Sequence, residues 1–321
     1  MSSIVVNDQR YPLAPGATVL DTLLDAGLKV SYGCKAGACQ SCLLRASSGT
    51  IPDEAQQGLK ETQKAEGWFL ACRCNPVDEI TIDLSAGVVQ KQIAQVVEKR
   101  LLSPRVMGLW LKTDEPLSYR AGQYITLWRD DSVARSYSLA SMPGNEPYLE
   151  LHIARIDGGA VSTWVHDELQ VGDPLQLQGP NGECFYTAGN AAQPLLLVGT
   201  GTGLAPLYGV VRDALLNGHS GPIHLFHGAR TVDYLYYHAE LLALCAQHKN
   251  LHYHPSLVQA GMIEPDEVEI GPVDQLVAQH LPKLEGWRVY LSGAPDIVNQ
   301  LRKRCFLAGA AIKEIYTDPF G

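Results

Sequence analysis

The chain has 321 residues, of which 46% are hydrophobic and 18% are charged; this leaves room for two or three folded domains and excludes a disordered chain. A formal net charge of −9 argues against nucleic-acid binding, which needs a basic face. Because the sequence has neither an apolar run of the ~18 residues that cross a membrane nor an N-terminal signal segment, we expect a cytoplasmic protein that binds no membrane.

The first 88 residues predict a small sheet crossed by one helix. Residues 4–6 and 10–13, joined by a short polar turn, predict a hairpin. Residues 18–26 have the apolar spacing of a helix that ends at Gly27. The alternation over residues 79–84 predicts a half-buried strand.

Five of the eight cysteines lie between residues 34 and 74. Cys34, Cys39 and Cys42 are spaced C-x4-C-x2-C, and Cys72 or Cys74 can supply a fourth thiolate, as in a plant-type [2Fe–2S] cluster. A structural zinc site is one alternative, but zinc favours pairs of C-x2-C and this segment has one. A set of unlinked thiols is the other. The remaining cysteines are expected to be ordinary buried thiols: Cys184, Cys245 and Cys305.

After a predicted linker at residues 85–91, the pattern of predicted secondary structure changes twice. Short strands separated by turn residues predict an antiparallel β-barrel in residues 93–190. They are expected at residues 94–99, 106–112, 123–128, 136–139, 148–156 and 174–178. In residues 191–321, apolar strands alternate with helical stretches, which predicts a parallel sheet flanked by helices. The predicted fold is therefore multidomain, combining α+β and α/β parts.

Three segments have patterns suited to phosphorylated cofactors. The segment Arg135-Ser136-Tyr137-Ser138 lies on a predicted strand, where it is equally typical of a polar edge. Residues 158–164 form a glycine-rich turn that opens a helix and can present N–H groups to a phosphate, or can be only a turn. The loop Gly199-Thr200-Gly201-Thr202-Gly203 follows a strand and precedes a helix. It departs from the Rossmann fingerprint at Leu204, but it has more glycines than a structural turn requires.

In this order, the cysteine spacing, the Arg-x-Tyr-Ser strand and the Gly-Thr-Gly loop resemble the ferredoxin–NADP reductase superfamily over essentially the whole chain. Within it, the chain is similar to NADH-dependent reductase components of bacterial oxygenases and to the CDP-6-deoxyglucoseen reductase type. The resemblance implies a β-grasp ferredoxin in residues 1–88, an FAD-binding β-barrel in residues 93–190 and an NAD-binding α/β domain in residues 191–321. It also implies electron transfer from NADH through FAD and the [2Fe–2S] cluster to a redox partner protein, an oxygenase component or a similar acceptor.

The same resemblance assigns roles to residues. It makes Cys72 the fourth iron ligand, beside Cys34, Cys39 and Cys42, and leaves Cys74 outside the ligand set. The residues implied to hold FAD are Arg135, Tyr137, Ser138, His152, Ile153, Gly159, Val161 and Ser162. Those implied to hold the nicotinamide dinucleotide are Gly201, Thr202, Gly203, Arg230 and Asp233. One arginine with an acid close by favours NADH over NADPH, because a 2′-phosphate wants several basic groups.

The candidates for contact with the reacting atoms are Ser292, Tyr137, Ser138 and Phe320. Ser292 stands where the family usually has a cysteine, and its hydroxyl is expected to position the nicotinamide so that activity survives. Phe320 either covers the flavin ring or belongs to a frayed end. We expect a monomer. The remaining alternatives are a redox sensor or electron carrier without turnover, and a flavin reductase whose cluster plays no part; a membrane NADH:quinone subunit lacks support because no N-terminal span is present.

Overall fold

The computed structural model describes residues 2–28, 30, 35, 37, 42–84, 91–130, 133–259 and 268–320. They fall into two compact units, Met1–Val89 and Gln90–Gly321. The predicted ligands Cys34 and Cys39, and most of the predicted linker, lie outside the described residues. Of the helices in the described part of the chain, none has the length and apolar content that crossing a bilayer requires.

The first unit is a five-stranded β-grasp sheet with strand order β2-β1-β5-β3-β4. Its elements are β1 (Ser3–Val6), β2 (Gln9–Pro12), α1 (Val19–Asp25), β3 (Leu43–Ser48), α2 (Glu61–Ala65), β4 (Trp68–Leu70) and β5 (Ile80–Asp83). Asn7 and Asp8 both have positive φ, as a two-residue type I′ hairpin turn requires. Thr18 caps α1 by accepting a hydrogen bond from the N–H of Asp21 over 3.2 Å. The predicted hairpin, helix and strand are thus all present.

The second unit begins with an antiparallel barrel of strand order β10-β7-β6-β11-β8-β9. Its elements are β6 (Gln92–Ser103), β7 (Val106–Thr113), β8 (Tyr124–Trp128), β9 (Ala134–Ser138), β10 (Leu149–Ala154), α3 (Ala160–Asp167) and β11 (Pro174–Asn181). A bridge between Leu139 and Leu151 joins the two outer strands and closes the barrel. Each of the six strands coincides with one predicted from the sequence.

The rest of the second unit is a parallel sheet of order β15-β14-β13-β12-β16-β17. Its strands are β12 (Leu195–Thr200), β13 (Ile223–Ala229), β14 (Leu251–Leu257), β15 (Glu269–Ile270), β16 (Arg288–Gly293) and β17 (Ile315–Pro319), and its helices are α4 (Leu204–Leu216), α5 (His238–Gln247), α6 (Val273–His280) and α7 (Pro295–Leu307). Leu195 and Leu197 pack into one core and Leu196 and Val198 into the other, so both faces of β12 are buried.

The end of the chain contributes a strand that the sequence did not predict. β17 pairs with β16 along its length, and the N–H of Phe320 donates to the carbonyl of Gly293 over 2.8 Å. The frayed-end alternative for Phe320 is therefore wrong for its backbone. Since β12 has β13 on one side and β16 on the other, the carboxyl ends of β12 and β16 border the crevice where open α/β sheets bind their ligands.

Candidate functional site

The two described iron-ligand candidates occupy neighbouring strand ends in the first unit. Cys42 precedes β3 and Cys72 follows β4, and these strands pair antiparallel. The N–H of Ala71 donates to the carbonyl of Cys42 over 3.0 Å, which holds the two segments together. Both cysteines are buried, and thiolate sulfur is the donor that [2Fe–2S] clusters take. Cys42 and Cys72 therefore fit two of the four ligand positions.

Cys74 lies two residues after Cys72 and belongs to the same core as Cys42 and Cys72. Its carbonyl accepts a hydrogen bond from the N–H of Val19, at the start of α1, over 2.9 Å. Cys74 is 0% exposed, whereas Cys72 is 7% exposed. This difference in burial favours Cys72 as the fourth ligand and a packing role for Cys74.

We expect Cys72→Ser to lose iron and the visible absorption of the cluster, while NADH-dependent ferricyanide reduction stays within about twofold, because the family resemblance assigns the NADH and flavin sites to the second unit. Cys74→Ala serves as the matched variant. It should keep its full iron content and lower the free energy of unfolding by about 1 kcal/mol, the scale for removing one small buried group. Iron analysis and chemical unfolding measure both effects. Iron lost from Cys74→Ala but kept in Cys72→Ser would reverse the assignment.

In the second unit, β9 places the Arg-x-Tyr-Ser segment beside the last strand of the parallel sheet. The Oγ of Ser138, a buried residue, donates to Oδ2 of Asp318 in β17 over 2.6 Å. Burial raises the pKa of Asp318, although the hydrogen bond from Ser138 opposes the rise. Tyr137 is half-buried, and burial raises its pKa to about 12, so it is a neutral phenol. Arg135 is exposed two residues earlier. A cation, an aromatic ring and a buried polar pair thus occur within one short segment.

The turn before α3 can hold a phosphate mainly through its backbone. A Cβ on Gly159 would lie within 3.0 Å of both Ser162 Oγ and Ile156, so the turn leaves no room for a side chain. Ser162 Oγ accepts from the N–H of Ile156 over 3.2 Å, and Val161 is buried in the barrel core. The first N–H groups of a helix have no intrahelical partner and attract anions. The N–H of Gly159 already donates to the carbonyl of Ile156 over 2.9 Å, so the main-chain donors available here are those of Val161 and Ser162 in the first turn of α3.

His152 and Ile153, the two predicted flavin contacts on β10, lie on opposite faces of that strand. Ile153 points into the barrel core. His152 lies on the other face, where its Nδ1 is 2.9 Å from the hydroxyl of Tyr236 and its Nε2 is 2.9 Å from Oε1 of Glu150. Glu150 also accepts from the hydroxyl of Tyr237. Protein groups therefore occupy both ring nitrogens of His152, in a buried network that sequence reasoning missed.

The Gly-Thr-Gly loop lies at the crevice of the parallel sheet. Gly201–Gly203 forms a single 3₁₀ turn between β12 and α4. A Cβ on Gly203 would lie 2.4 Å from the carbonyl oxygen of Ser292, so only glycine lets the turn approach β16. Nε2 of His227 lies 3.1 Å from the carbonyl of Gly201. Burial lowers the pKa of His227 to about 4, and since the carbonyl can only accept, the neutral ring carries its proton on Nε2.

The hydroxyl of Ser292 is buried at the crevice. The residue is 1% exposed, and its Oγ is buried with no hydrogen-bond partner among the described residues. Its neighbour across the strand pair is Asp318. A buried unpaired hydroxyl is unfavourable by about 1–3 kcal/mol, so a ligand carrying an amide would relieve that penalty. A hydrogen-bonding group of a bound ligand is one partner that this hydroxyl can take.

The other predicted dinucleotide residues follow β13. Arg230 comes directly after the strand and Asp233 lies in the next turn, and both are exposed. The hydroxyl of Ser103 donates to the main-chain carbonyl of Asp233 over 2.5 Å, which fixes the turn through its backbone. Thr202 and Phe320 are half-buried at the loop and after β17. The structure thus brings Gly203, Ser292 and the strand of Asp318 together.

Sequence comparisons give a domain assignment for most of the chain. Residues 4–77 match the 2Fe-2S iron-sulfur cluster binding domain, residues 93–186 the oxidoreductase FAD-binding domain and residues 197–303 the oxidoreductase NAD-binding domain. The chain is 32% identical to the reductase component of the naphthalene 1,2-dioxygenase/salicylate 5-hydroxylase systems of Ralstonia sp., over 95% of this chain and 94% of that protein. It is also 32% identical to the reductase subunit of an aromatic O-demethylase of Amycolatopsis sp., over 92% and 91% of the two chains.

Solved structures show the same architecture. A cytochrome P450 reductase of Amycolatopsis superposes with a TM-score of 0.68 at 28% identity, covering 100% of this chain and 99% of that one. The ferredoxin reductase of carbazole 1,9a-dioxygenase superposes with a TM-score of 0.65 at 23% identity, covering 100% and 98%, and shows the shared fold.

Proposed function

Because the chain belongs to the [2Fe–2S] ferredoxin-fused, FAD- and NAD-binding reductases of oxygenase systems, we propose that it oxidises NADH and delivers the electrons to an oxygenase component. FAD supplies the chemistry that joins a two-electron donor to a one-electron cluster. The close approach of the Gly201–Gly203 turn to the main chain of Ser292, a residue whose hydroxyl has no partner among the described residues, is the observation that carries this proposal.

In this proposal the polypeptide binds and orients the reactants. Arg135 and the N-terminus of α3 hold the FAD phosphates, and the Gly201–Gly203 turn receives the dinucleotide. Ser292 donates to or accepts from the nicotinamide carboxamide. The hydroxyl of Ser138 donates its hydrogen bond to Asp318, so the serine oxygen is free to accept a hydrogen bond from an N–H group of a ligand. No side chain of the described site needs to act as a general base.

NADH is the proposed donor because of the charges after β13. A 2′-phosphate would meet one cation, Arg230, and one anion, Asp233. We also propose that the enzyme is a monomer of the cytoplasm, where a reducing milieu keeps a buried thiol such as that of Cys305 out of disulfide bonds.

An anaerobic titration followed by visible absorption tests the proposal, with NADPH in a parallel cell. We expect NADH to bleach both the flavin and the cluster bands, and kcat/KM for NADH to exceed that for NADPH by on the order of 100-fold, as placing a phosphate beside an acid costs a few kcal/mol. Purified oxygenase components then serve as acceptors. If the protein holds both cofactors and NADH bleaches neither the flavin nor the cluster bands, the protein is a sensor or carrier and the proposed function is wrong.

A further inference from the structure

A cluster of three histidines and one glutamate lies on the parallel sheet, and none of these four residues is among those assigned to the cofactors. His224 is on β13, His254 on β14, Glu269 on β15 and His280 at the end of α6. Nε2 of His280 lies 3.0 Å from both carboxylate oxygens of Glu269. Nδ1 of His254 lies 4.0 Å from Oε1 of Glu269. Three potential ligand atoms, from His254, Glu269 and His280, lie within 4.8 Å of one another.

These distances suit one shared cation. Zinc binds histidine nitrogen and carboxylate oxygen at about 2.0–2.2 Å, so two ligand atoms of a tetrahedral ion stand roughly 3.3 Å apart. The observed separations of 3.0 Å and 4.0 Å lie on either side of that value, and all three atoms lie within 4.8 Å of one another, so the side chains must draw closer to share one ion. The side chains of Glu269 and His280 are each 37% exposed, which leaves an entry path and room for a water as fourth ligand.

His224 provides the outer support that metal-binding histidines require. Its Nδ1 lies 3.1 Å from Nε2 of His254, the ring nitrogen turned away from Glu269. If Nδ1 of His254 binds a metal, Nε2 carries the proton and donates to His224, which fixes both tautomer and ring orientation. The ring of His254 is further held by stacking on Phe226, with ring centres 4.3 Å apart. The arrangement therefore has a ligand set and a rigid second layer.

We propose that His254, Glu269 and His280 bind one Zn²⁺ ion, with His224 as a positioning residue. Two imidazoles and one carboxylate with an open position form a ligand set that zinc favours among the common divalent cations, whereas Mg²⁺ and Ca²⁺ take oxygen ligands. The ion braces the two-residue strand β15 and the end of α6 against β14. The first residue of α6, Val273, packs closely against β13: its Cβ lies 2.8 Å from the position that a Cβ on Gly228 would take. An ion bound at the end of α6 would therefore stabilise a helix that packs on β13.

The test is a zinc titration of the full chain loaded with FAD and cluster, in competition with a chromophoric zinc indicator. Because the cluster is loaded, its cysteine ligands are not available to bind the added zinc. We expect one zinc equivalent, with affinity lower by on the order of 100-fold in Glu269→Gln and in His280→Gln, and by about 10–100-fold in His224→Gln, the range for outer-shell partners. His252→Gln is the matched control. His252 is exposed and stacks on His224 with ring centres 4.6 Å apart, but it is outside the ligand triad.

Zinc-edge absorption spectroscopy on the same samples identifies the ligands and should show a nitrogen and oxygen shell without sulfur. The proposal is overturned if the loaded protein takes up no zinc, if uptake persists unchanged in Glu269→Gln and His280→Gln, or if His252→Gln weakens it as much as they do. In the first two cases, Glu269 and His280 form only a hydrogen-bonded pair at the surface; in the third, the zinc ligands are not those proposed. Melting curves of each variant without zinc confirm that the fold is intact.

Discussion

Replacing Gly203 with alanine is expected to lower kcat/KM for NADH by about 100-fold or more while FAD and iron remain bound. The added Cβ would lie 2.4 Å from the carbonyl oxygen of Ser292 and 2.9 Å from the amide nitrogen of Gly293. Both are main-chain atoms of β16, so the turn itself must shift. A displacement of about 1 Å at a reacting centre typically reduces rates 100-fold.

Gly201→Ala in the same turn is the matched comparison. Nothing lies within 4 Å of a Cβ there, and the residue has a φ of +54°. The substitution brings only the strain of a left-handed alanine, about 1–2 kcal/mol, and we expect less than a 10-fold change in kcat/KM. Stopped-flow reduction of the flavin by NADH measures both variants. Equal losses in the two would show that close packing against β16 is not what the turn requires.

Asp318→Asn is expected to slow flavin reduction by NADH about 100-fold, with little change in NADH affinity. Asparagine keeps the acceptor for the Ser138 hydroxyl and the shape of the side chain, so the variant removes mainly the charge. As hydride leaves, the nicotinamide becomes positive, and a half-buried carboxylate nearby stabilises that charge in the transition state. The control is Ser136→Ala, an exposed position on β9 two residues before Ser138, and its rate of flavin reduction should stay within about twofold of the wild type.

The same substitution should stabilise the fold near neutral pH. Burial raises the pKa of Asp318 in the folded chain, so the folded state binds this proton more tightly than the unfolded state. The stability associated with Asp318 is therefore full at low pH, and falls as pH rises from the unfolded pKa through the folded one. Asp318→Asn escapes this loss, so its melting temperature should exceed that of the wild type at pH 7, and the gap should close in acid. A gap independent of pH would mean that the charge of Asp318 is not the cause.

Local sequence was enough for elements whose pattern is strong. The four leucine and valine residues of β12 and the spacing of the cysteines identified the parallel sheet and the cluster segment. β17 escaped prediction because its five residues are mixed in polarity and include a proline, and only pairing with β16 makes them a strand.

The site depended more on tertiary contacts. The Ser138–Asp318 pair joins positions 180 residues apart, and no periodicity reports such a contact. Residue type alone also did not determine which face of a strand each side chain occupies. Ile153 faces the barrel core, whereas its neighbour His152 forms hydrogen bonds on the opposite face. The histidine cluster draws on four separate elements and was invisible for the same reason.

The order in which the ribosome delivers these elements has a consequence for the cell. Ferredoxin and barrel emerge first and, as domains generally do, can fold while synthesis continues. Asp318 arrives only with β17, the last strand described. A chain interrupted before that point holds the candidate residues for iron and flavin phosphates, but it lacks the carboxylate beside Ser138 and the strand that borders Ser292. We therefore expect unfinished molecules to bind the cofactors of the earlier domains and to react slowly with NADH.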